Sequence, residues 1–381
     1  MAIVAGAQGA GGSLGIFANR VPIHMKDGLA ELEPDVNPLL LFMRKTSKGT
    51  IEGTKAEWLE HDRFDDTEQA NGTYTAGATT ITVDDGTVGA PGMLVRNQRT
   101  DEVIRIGAIT ATTWTGCTRS VGATAAAAGL DNDYFSILGT SLPENSSTPT
   151  PRAKDETTGF NYTQIWRDTF GASGTLIASK LYGTGKQIMS ERASQRARDH
   201  NVYQEQSLLF GERSEVTSGS YAQRSMGGVD EFISQTYDFG GSFSMQAAFD
   251  ALEVGMRYGS NSKMLLCSRG CASNISLVAL DRVRNTVSDK TFGINISMLE
   301  SPHGRVAIVR HDLLVGNQYG KRAYLLDVKN FKYLSLKGRD TALYENLESN
   351  GTDGQINGWL TEATLERLHA STHQTWLNVN T

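Results

Sequence analysis

Residues Thr184–Arg213 read TGKQIMSERASQRARDHNVYQEQSLLFGER, and how this stretch is understood decides the fold. No Pro or Gly interrupts it between Lys186 and Phe210, Thr184 is placed to cap its start, and Gly211 is placed to end it. As one helix it would be about 45 Å long at 1.5 Å per residue. Its apolar content is thin. Met189, Ala193 and Ala197 make a narrow stripe that His200, Gln204 and Leu208 continue, while Glu191, Arg192, Arg196, Arg198, Asp199 and Glu205 occupy the other faces. A helix this long and this polar is expected to be a strut across the subunit or a surface that meets other subunits.

On the C-terminal side, SEVTSGSYAQRSMGGVDEFISQ is expected to be a loop, followed by an amphipathic helix over Ser242–Tyr258 with Phe249, Leu252, Val254 and Met256 near one side. KMLLC (263–267) reads as a buried strand and Cys271–Asn285 as a helix with Ile275, Val278, Leu280 and Val283 on a broad apolar side. RVAIVRH (305–311), AYLLDV (323–328) and FKYLSLKG (331–338) read as strands. The final segment, 355–379, fits a strand through Trp359, Ala363 and Leu365 and a helix through Leu360, Thr364 and Leu368; the strand reading is preferred.

On the N-terminal side, TKAEWLEH (54–61) alternates as a strand with Ala56 and Trp58 on one face, and FNYTQIWRDTF (160–170) is its expected partner. Between them, residues 71–139 are rich in Thr, Gly and β-branched side chains. TTITVDDG, GMLVRNQ, DEVIRIGAIT and ATTWTGCTRSVG are short strand candidates separated by turn signals at Asp85-Gly86, Pro91-Gly92 and Thr115-Gly116. The spacing predicts a small β-barrel or sandwich inserted into a long hairpin, with SLPENSSTPTPRAKDETTG as its exit linker. Residues 1–37 read as an arm, and LLLFMRK (39–45) as an apolar anchor for it.

Composition narrows the function. The 36 Lys+Arg against 42 Asp+Glu give a net charge of −6, so there is no overall basic field to recruit nucleic acid. Cys117, Cys267 and Cys271 are an odd number at spacings that suit no disulfide framework, which points to synthesis in a reducing cytosol. No apolar run approaches a membrane span, and the first charge, Arg20, comes too late for a signal-peptide n-region.

A search for chemistry finds none. Gly183-Thr184-Gly185-Lys186 offers free amides at a helix start, but a phosphate-binding loop needs Gly where Lys180 stands and Ser or Thr where Gln187 stands. His369 and His373 are four apart without the Glu of a zinc-protease pattern, and no nucleophile elbow is present. The expectation is therefore no catalytic, cofactor-binding or metal residues. Trp58 and Trp166 are large anchors in polar strands. They serve as core residues in a monomer or as contact hot spots in an assembly, and with Arg192, Arg196 and Arg198 they are the candidate inter-subunit residues.

The order of elements resembles the major capsid proteins of tailed bacteriophages with the Hong Kong 97-type shell fold, in the branch that carries a β-rich insertion. The resemblance rests on the arm, on the hairpin that leaves as TKAEWLEHD and returns as GFNYTQIWRDTF, and on the long polar helix. It continues through RSMGGVDEFI, through helix, strand and helix over SMQAAFDALEVGMRYGSNSKMLLCSRGCASNISLVALDRV, and through the strands of RVAIVRHDLLVGNQYGKRAYLLDVKNFKYL. It implies an α+β fold. Residues 1–45 would be the N-terminal arm and anchor, 46–70 and 140–175 an extended-loop hairpin, and 71–139 the inserted all-β domain. Residues 176–217 and 323–381 would form a peripheral domain with the long helix as spine, and 218–322 an axial domain. It further implies hexamers and pentamers closing an icosahedral shell around packaged double-stranded DNA. The partners would be other copies of the chain, a separate scaffolding protein, a portal, a decoration protein and DNA held by weak non-specific contact, with no membrane. Some members cross-link a hairpin Lys to an Asn beside a Glu, roles for which Lys55 or Lys154 with Asn357 and Glu362 are the candidates here. The place of synthesis would be the host bacterial cytoplasm and the destination the virion.

Two rivals stand beside this reading. One is another virion component, a decoration or tail protein. The other is a β-rich hydrolase or carbohydrate-binding protein in which Trp114 or Trp58 lines a sugar platform; it leaves the long polar helix without a role.

Overall fold

The computed structural model describes residues 37–179, 187–278 and 296–379. The chain divides into two compact units: one holds the residues up to Trp58 and from Thr158 onward, the other is Leu59–Thr157.

The first unit is built on two sheets. In one, the 14-residue strand Gly354–Arg367 pairs antiparallel with Gln164–Ser173 through its first part and with Phe331–Leu336 through its last, and Ala342–Tyr344 joins it as well. Lys48–Ile51 adds a parallel edge beside Phe331–Leu336. The ambiguous C-terminal segment is thus mainly strand, as preferred. The partner expected for Thr54–His61 divides in two: Lys55–Glu60 pairs with Thr157–Tyr162, whereas Gln164–Ser173 turns into the central sheet. Ala56 and Trp58 are buried on one face, as the alternation required.

The other sheet has the order Thr236–Asp238, Gln374–Leu377, Ala323–Leu326, Ser262–Cys267, Gly304–Arg310, Ile296–Ser301. Its central strands read as unbroken apolar runs because both faces are covered. Met264, Leu266, Tyr324, Leu326 and Val309 enter one core with Leu208 and Leu209 of the long helix. Leu265, Cys267, Leu325, Val306 and Ile308 enter a second core with Ala248, Ala251 and Leu252 of the helix Met245–Gly255 and with Cys271 and Ile275 of the helix Arg269–Val278.

Several local expectations shift. The Met245–Gly255 helix is capped by Ser244, whose Oγ accepts from Ala247 N at 3.2 Å, two residues later than Ser242. That start places Ala248, Ala251, Leu252 and Gly255 inward and leaves Val254 49% exposed. Gly255 lets the helix sit so close to Leu325 that a Cβ would stand 2.7 Å from its Cδ2. The stretch after the long helix holds a hairpin, Ser214–Ser218 with Tyr221–Ser225, turning at Gly219 in the left-handed region with φ 66°. Its solvated strands carry polar side chains on both faces, so no alternation showed it. The LLLFMRK anchor is a helix, Pro38–Thr46. The part of the Cys271–Asn285 helix beyond Val278, and the 183–186 loop, lie outside the described residues.

The second unit holds two small antiparallel sheets. One runs Thr67–Gln69, Tyr134–Thr140, Met93–Asn97, Val103–Arg105, and the other Ile81–Thr82, Thr113–Thr115, Ala108–Ile109. They share a core of Ile81, Val83, Val95, Ile104, Ile106, Trp114 and Phe135. Trp114 is fully buried, edge-on to Phe135 with centroids 5.2 Å apart, and its Nε1 donates to Gly86 O at 3.1 Å. Beside this core the Arg119 guanidinium pairs with the buried Glu102 carboxylate at 2.6 Å and also donates to the carbonyls of Thr75 and Ala127. Asp133 is held well below the usual carboxylate range, chiefly by the Arg99 hydrogen bond.

Candidate functional site

The long helix runs Ile188–Phe210, with Gln187 at its N-cap and Gly211 at its C-cap. At 1.5 Å per residue it spans about 35 Å. Its buried positions are His200, Gln204, Glu205, Leu208 and Leu209. The last two turns therefore enter the largest core, while Met189, Ala193 and Ala197 are half-buried along the same stripe. The first turns are half-buried as expected of a strut, whereas the last ones enter the core, where Leu209 joins the stripe's Leu208 as an apolar contact.

What distinguishes this stripe is its polarity, and every polar group on it is engaged. His200 Nδ1 lies 2.6 Å from Asp168 Oδ2 of the Gln164–Ser173 strand, and its Nε2 lies 2.8 Å from Thr361 Oγ1 of the Gly354–Arg367 strand. Gln204 Nε2 donates to the same Thr361 oxygen at 3.3 Å. Its Oε1 accepts from Arg44 at 2.7 Å and from the Tyr333 hydroxyl at 3.3 Å. Trp359 Nε1 donates to Ala193 O, and Trp166 Nε1 donates to Ser207 Oγ, each at 3.1 Å.

Glu205 is fully buried. Its carboxylate accepts from Leu39 N at 2.9 Å and Leu40 N at 2.6 Å, the first free amides of the Pro38–Thr46 helix, whose Asn37 makes no side-chain cap. A carboxylate at a helix N-terminus is favoured by the unpaired amides and by the helix dipole. The third donor is His311 Nε2 at 2.7 Å. His311 Nδ1 accepts from Leu313 N at 3.1 Å, so the proton of the neutral ring sits on Nε2. The helix thereby fastens the N-terminal segment and both sheets through groups that are each satisfied only when the others are in place.

The candidate contact residues fall into two sets. Trp58 packs with Ala56 and Leu334 and stands edge-on to Phe232, and Trp166 is part of the largest core, so their own chain accounts for both. With Trp114 also buried, neither sugar-platform residue is available as a flat exposed ring. Arg192 donates to Gly171 O, Arg196 pairs with Asp199 one turn on at 3.2 Å, and Arg198 is exposed. Asn357 and Glu362 are both buried. The Glu362 carboxylate is held by Arg339 at 2.6 Å and Thr163 at 3.0 Å, and Lys55 pairs with Glu57.

Sequence reasoning missed one surface. The Gln164–Ser173 strand is an edge of its sheet, and Ile165 on it is 54% exposed. Tyr203 lies with Ile165 along one groove, and Val216 and Tyr221 of the hairpin lie with it along another, all exposed. The signal was present only as isolated apolar residues in polar stretches.

A hydrogen-bonded polar stripe on the long helix and an apolar margin open to solvent are the features of a structural subunit. The family model of the SU10 major capsid protein matches residues 9–379, and the chain belongs to that family. It is a major capsid protein of a phage, located in the virion. It is 24% identical over 304 residues to the major capsid protein of Pseudomonas phage PaMx41, a match covering 74% of this chain and 70% of that one. Among solved structures it is similar to the capsid of an empty GTA particle, at 11% identity over 98% of this chain and 99% of that one, with a TM-score of 0.49. It is also similar to a Mycobacterium phage Bobi chain, at 8% identity over 94% and 96%, with a TM-score of 0.48.

Proposed function

We propose that the chain forms hexamers and pentamers that close an icosahedral head of the Hong Kong 97 type around double-stranded DNA, and that its role is structural rather than catalytic. The observation that carries this reading is the open margin of the Gln164–Ser173 strand. An edge strand flanked by exposed Ile165, Tyr203, Val216 and Tyr221 is a liability in a solitary protein and an asset where a neighbour covers it.

In this reading residues 46–70 and 140–175 form the extended-loop hairpin, and 71–139 the inserted domain. The spine helix lies in a peripheral domain of 176–217 and 323–381, and 218–322 form the axial domain. Arg196 and Arg198, on the solvated side of the helix, are the charged contacts to a neighbouring copy. A scaffolding protein guides closure, a portal occupies one vertex and a decoration protein adds to the outside. The net charge of −6 suits a lumen that confines DNA with only weak, non-specific contact. Electron microscopy of the purified protein tests the proposal: closed shells of hexamers and pentamers are expected, and dispersed small particles under every assembly condition would sink it.

A further inference from the structure

The chain contains three Asn-Gly pairs, Asn71-Gly72, Asn350-Gly351 and Asn357-Gly358. An Asn followed by Gly is open to attack by its own backbone, because no Cβ shields the following amide and the Gly dihedrals turn freely. The fold treats the three pairs differently. Asn71 is tied at both ends, its N donating to Thr82 O and its Nδ2 to Asp84 Oδ1, each at 3.0 Å. The Gly72 amide, the group that would attack, donates to Asp131 Oδ1 at 2.7 Å. Asn357 is buried inside the Gly354–Arg367 strand, and its Oδ1 accepts from Asn346 N at 3.1 Å. Gly358 beside it is paired with Thr169 on one side and Tyr344 on the other.

Asn350-Gly351 has none of these restraints. It is the middle of a turn closed by Thr352 N donating to Ser349 O at 3.1 Å, with Gly351 at φ 86°, as a type II turn requires of its third residue. Ser349, Asn350, Gly351 and Thr352 are all exposed, and a Cβ built on Gly351 would meet nothing within 4 Å. Among the described residues, neither the Asn350 carboxamide nor the Gly351 amide has a hydrogen-bond partner. We propose that Asn350 is a site of spontaneous deamidation, the one Asn-Gly pair of the chain that the fold leaves reactive. A solvent base takes the Gly351 N proton, and that nitrogen bonds to Asn350 Cγ. The Cγ–Nδ2 bond breaks, and Nδ2 leaves as ammonia with a proton from water. The resulting five-membered imide takes up one water. Opening at Cγ restores the chain as Asp, whereas opening at the backbone carbonyl leaves isoaspartate, with the chain running through Cβ and Cγ. Either product sets a new negative charge between Glu348 and Asp353. Isoaspartate also adds a backbone carbon to the turn that closes just before Gly354 pairs with Ser173.

Peptide mapping by mass spectrometry tests this on the full-length folded protein aged in mildly alkaline buffer, with a parallel sample aged in urea. In the folded protein Asn350 should convert about tenfold faster than Asn71 or Asn357, because ring closure at those two must first break hydrogen bonds that hold the reacting groups. In urea the three rates should converge, since all three are Asn-Gly pairs. Conversion of Asn71 or Asn357 as fast as Asn350 in the folded protein would overturn the proposal. So would an unmodified Asn350 in the folded protein after the unfolded chain has converted. A lead for Asn350 that persists undiminished in urea would also count against it, since the selection would then lie in the flanking sequence and not in the fold.

Discussion

His311 and Glu205, 106 residues apart in the chain, form a fully buried pair with Nε2 2.7 Å from Oε1, and the same carboxylate holds the first amides of the N-terminal helix. Glu205→Gln keeps the shape but turns an amide toward donors that need an acceptor. Leaving a buried donor without its acceptor costs about 1–3 kcal/mol. A fall of that order in unfolding free energy is expected, with amide exchange at Leu39–Met43 accelerated before the rest of the domain. Uniform acceleration everywhere would show that Glu205 has no particular hold on the N-terminal helix.

His373 gives the fold an acid limit. Burial pushes its imidazole down to about 3, and its Nδ1 accepts from Asp327 N at 3.1 Å. The unfolded chain takes up this proton near pH 6.5 and the folded chain only near 3, so the unfolded state binds more protons within that window. Stability from this group is complete above about pH 6.5 and is lost as pH falls toward 3, by about 4 kcal/mol at 1.36 kcal/mol per unit. His373→Asn keeps an acceptor for Asp327 N without the proton uptake. Urea unfolding across this range should therefore show a shallower loss in the variant; parallel curves would refute the assignment.

Ile165→Lys separates folding from assembly. The side chain is 54% exposed, so the unfolding free energy of the unassembled protein should stay within about 0.5 kcal/mol of the original. A charge at a contact hot spot costs more than about 2 kcal/mol there, and sedimentation should find the variant mostly unassembled. Normal shells would remove Ile165 from the contact surface.

Within Leu59–Thr157, the Glu102–Arg119 pair is the vulnerable point. Arg119→Ala strands the Glu102 carboxylate, whose remaining donors are the amides of Ser120 and Ala127 at 3.2 and 3.1 Å. A loss of about 3–5 kcal/mol is expected. Limited proteolysis should then cut between residues 59 and 157 while leaving the Gly354–Arg367 strand intact. Resistance equal to the parent would show that the pair contributes little.

Local signals carried much of this architecture. The alternation of Ala56 and Trp58, the doubly buried KMLLC and AYLL runs, and the Gly-free stretch ahead of Gly211 each report backbone geometry through nearest neighbours. What they lacked was long-range. Glu205 looks like a solvated charge until the amides of Leu39 and Leu40, 166 and 165 residues away, are brought to it. His200 likewise acquires its meaning from Asp168 and Thr361. The Ser214–Ser225 hairpin escaped because polar strands carry no hydrophobic period, and the contact margin escaped because Ile165 and Tyr221 are unremarkable singly.

The pairing of Lys55–Glu60 with Thr157–Tyr162 has a consequence for how such a chain changes over generations. The two points at which the polypeptide departs toward Leu59–Thr157 and comes back are neighbouring strands, so the ends of the intervening hundred or so residues are already together. Whatever lies between them adds little closure entropy, because that cost grows only with the logarithm of loop length. The position is an interchangeable cassette: a short turn, a larger β-fold or a foreign epitope can be spliced there while the polar lock around Glu205 is left untouched.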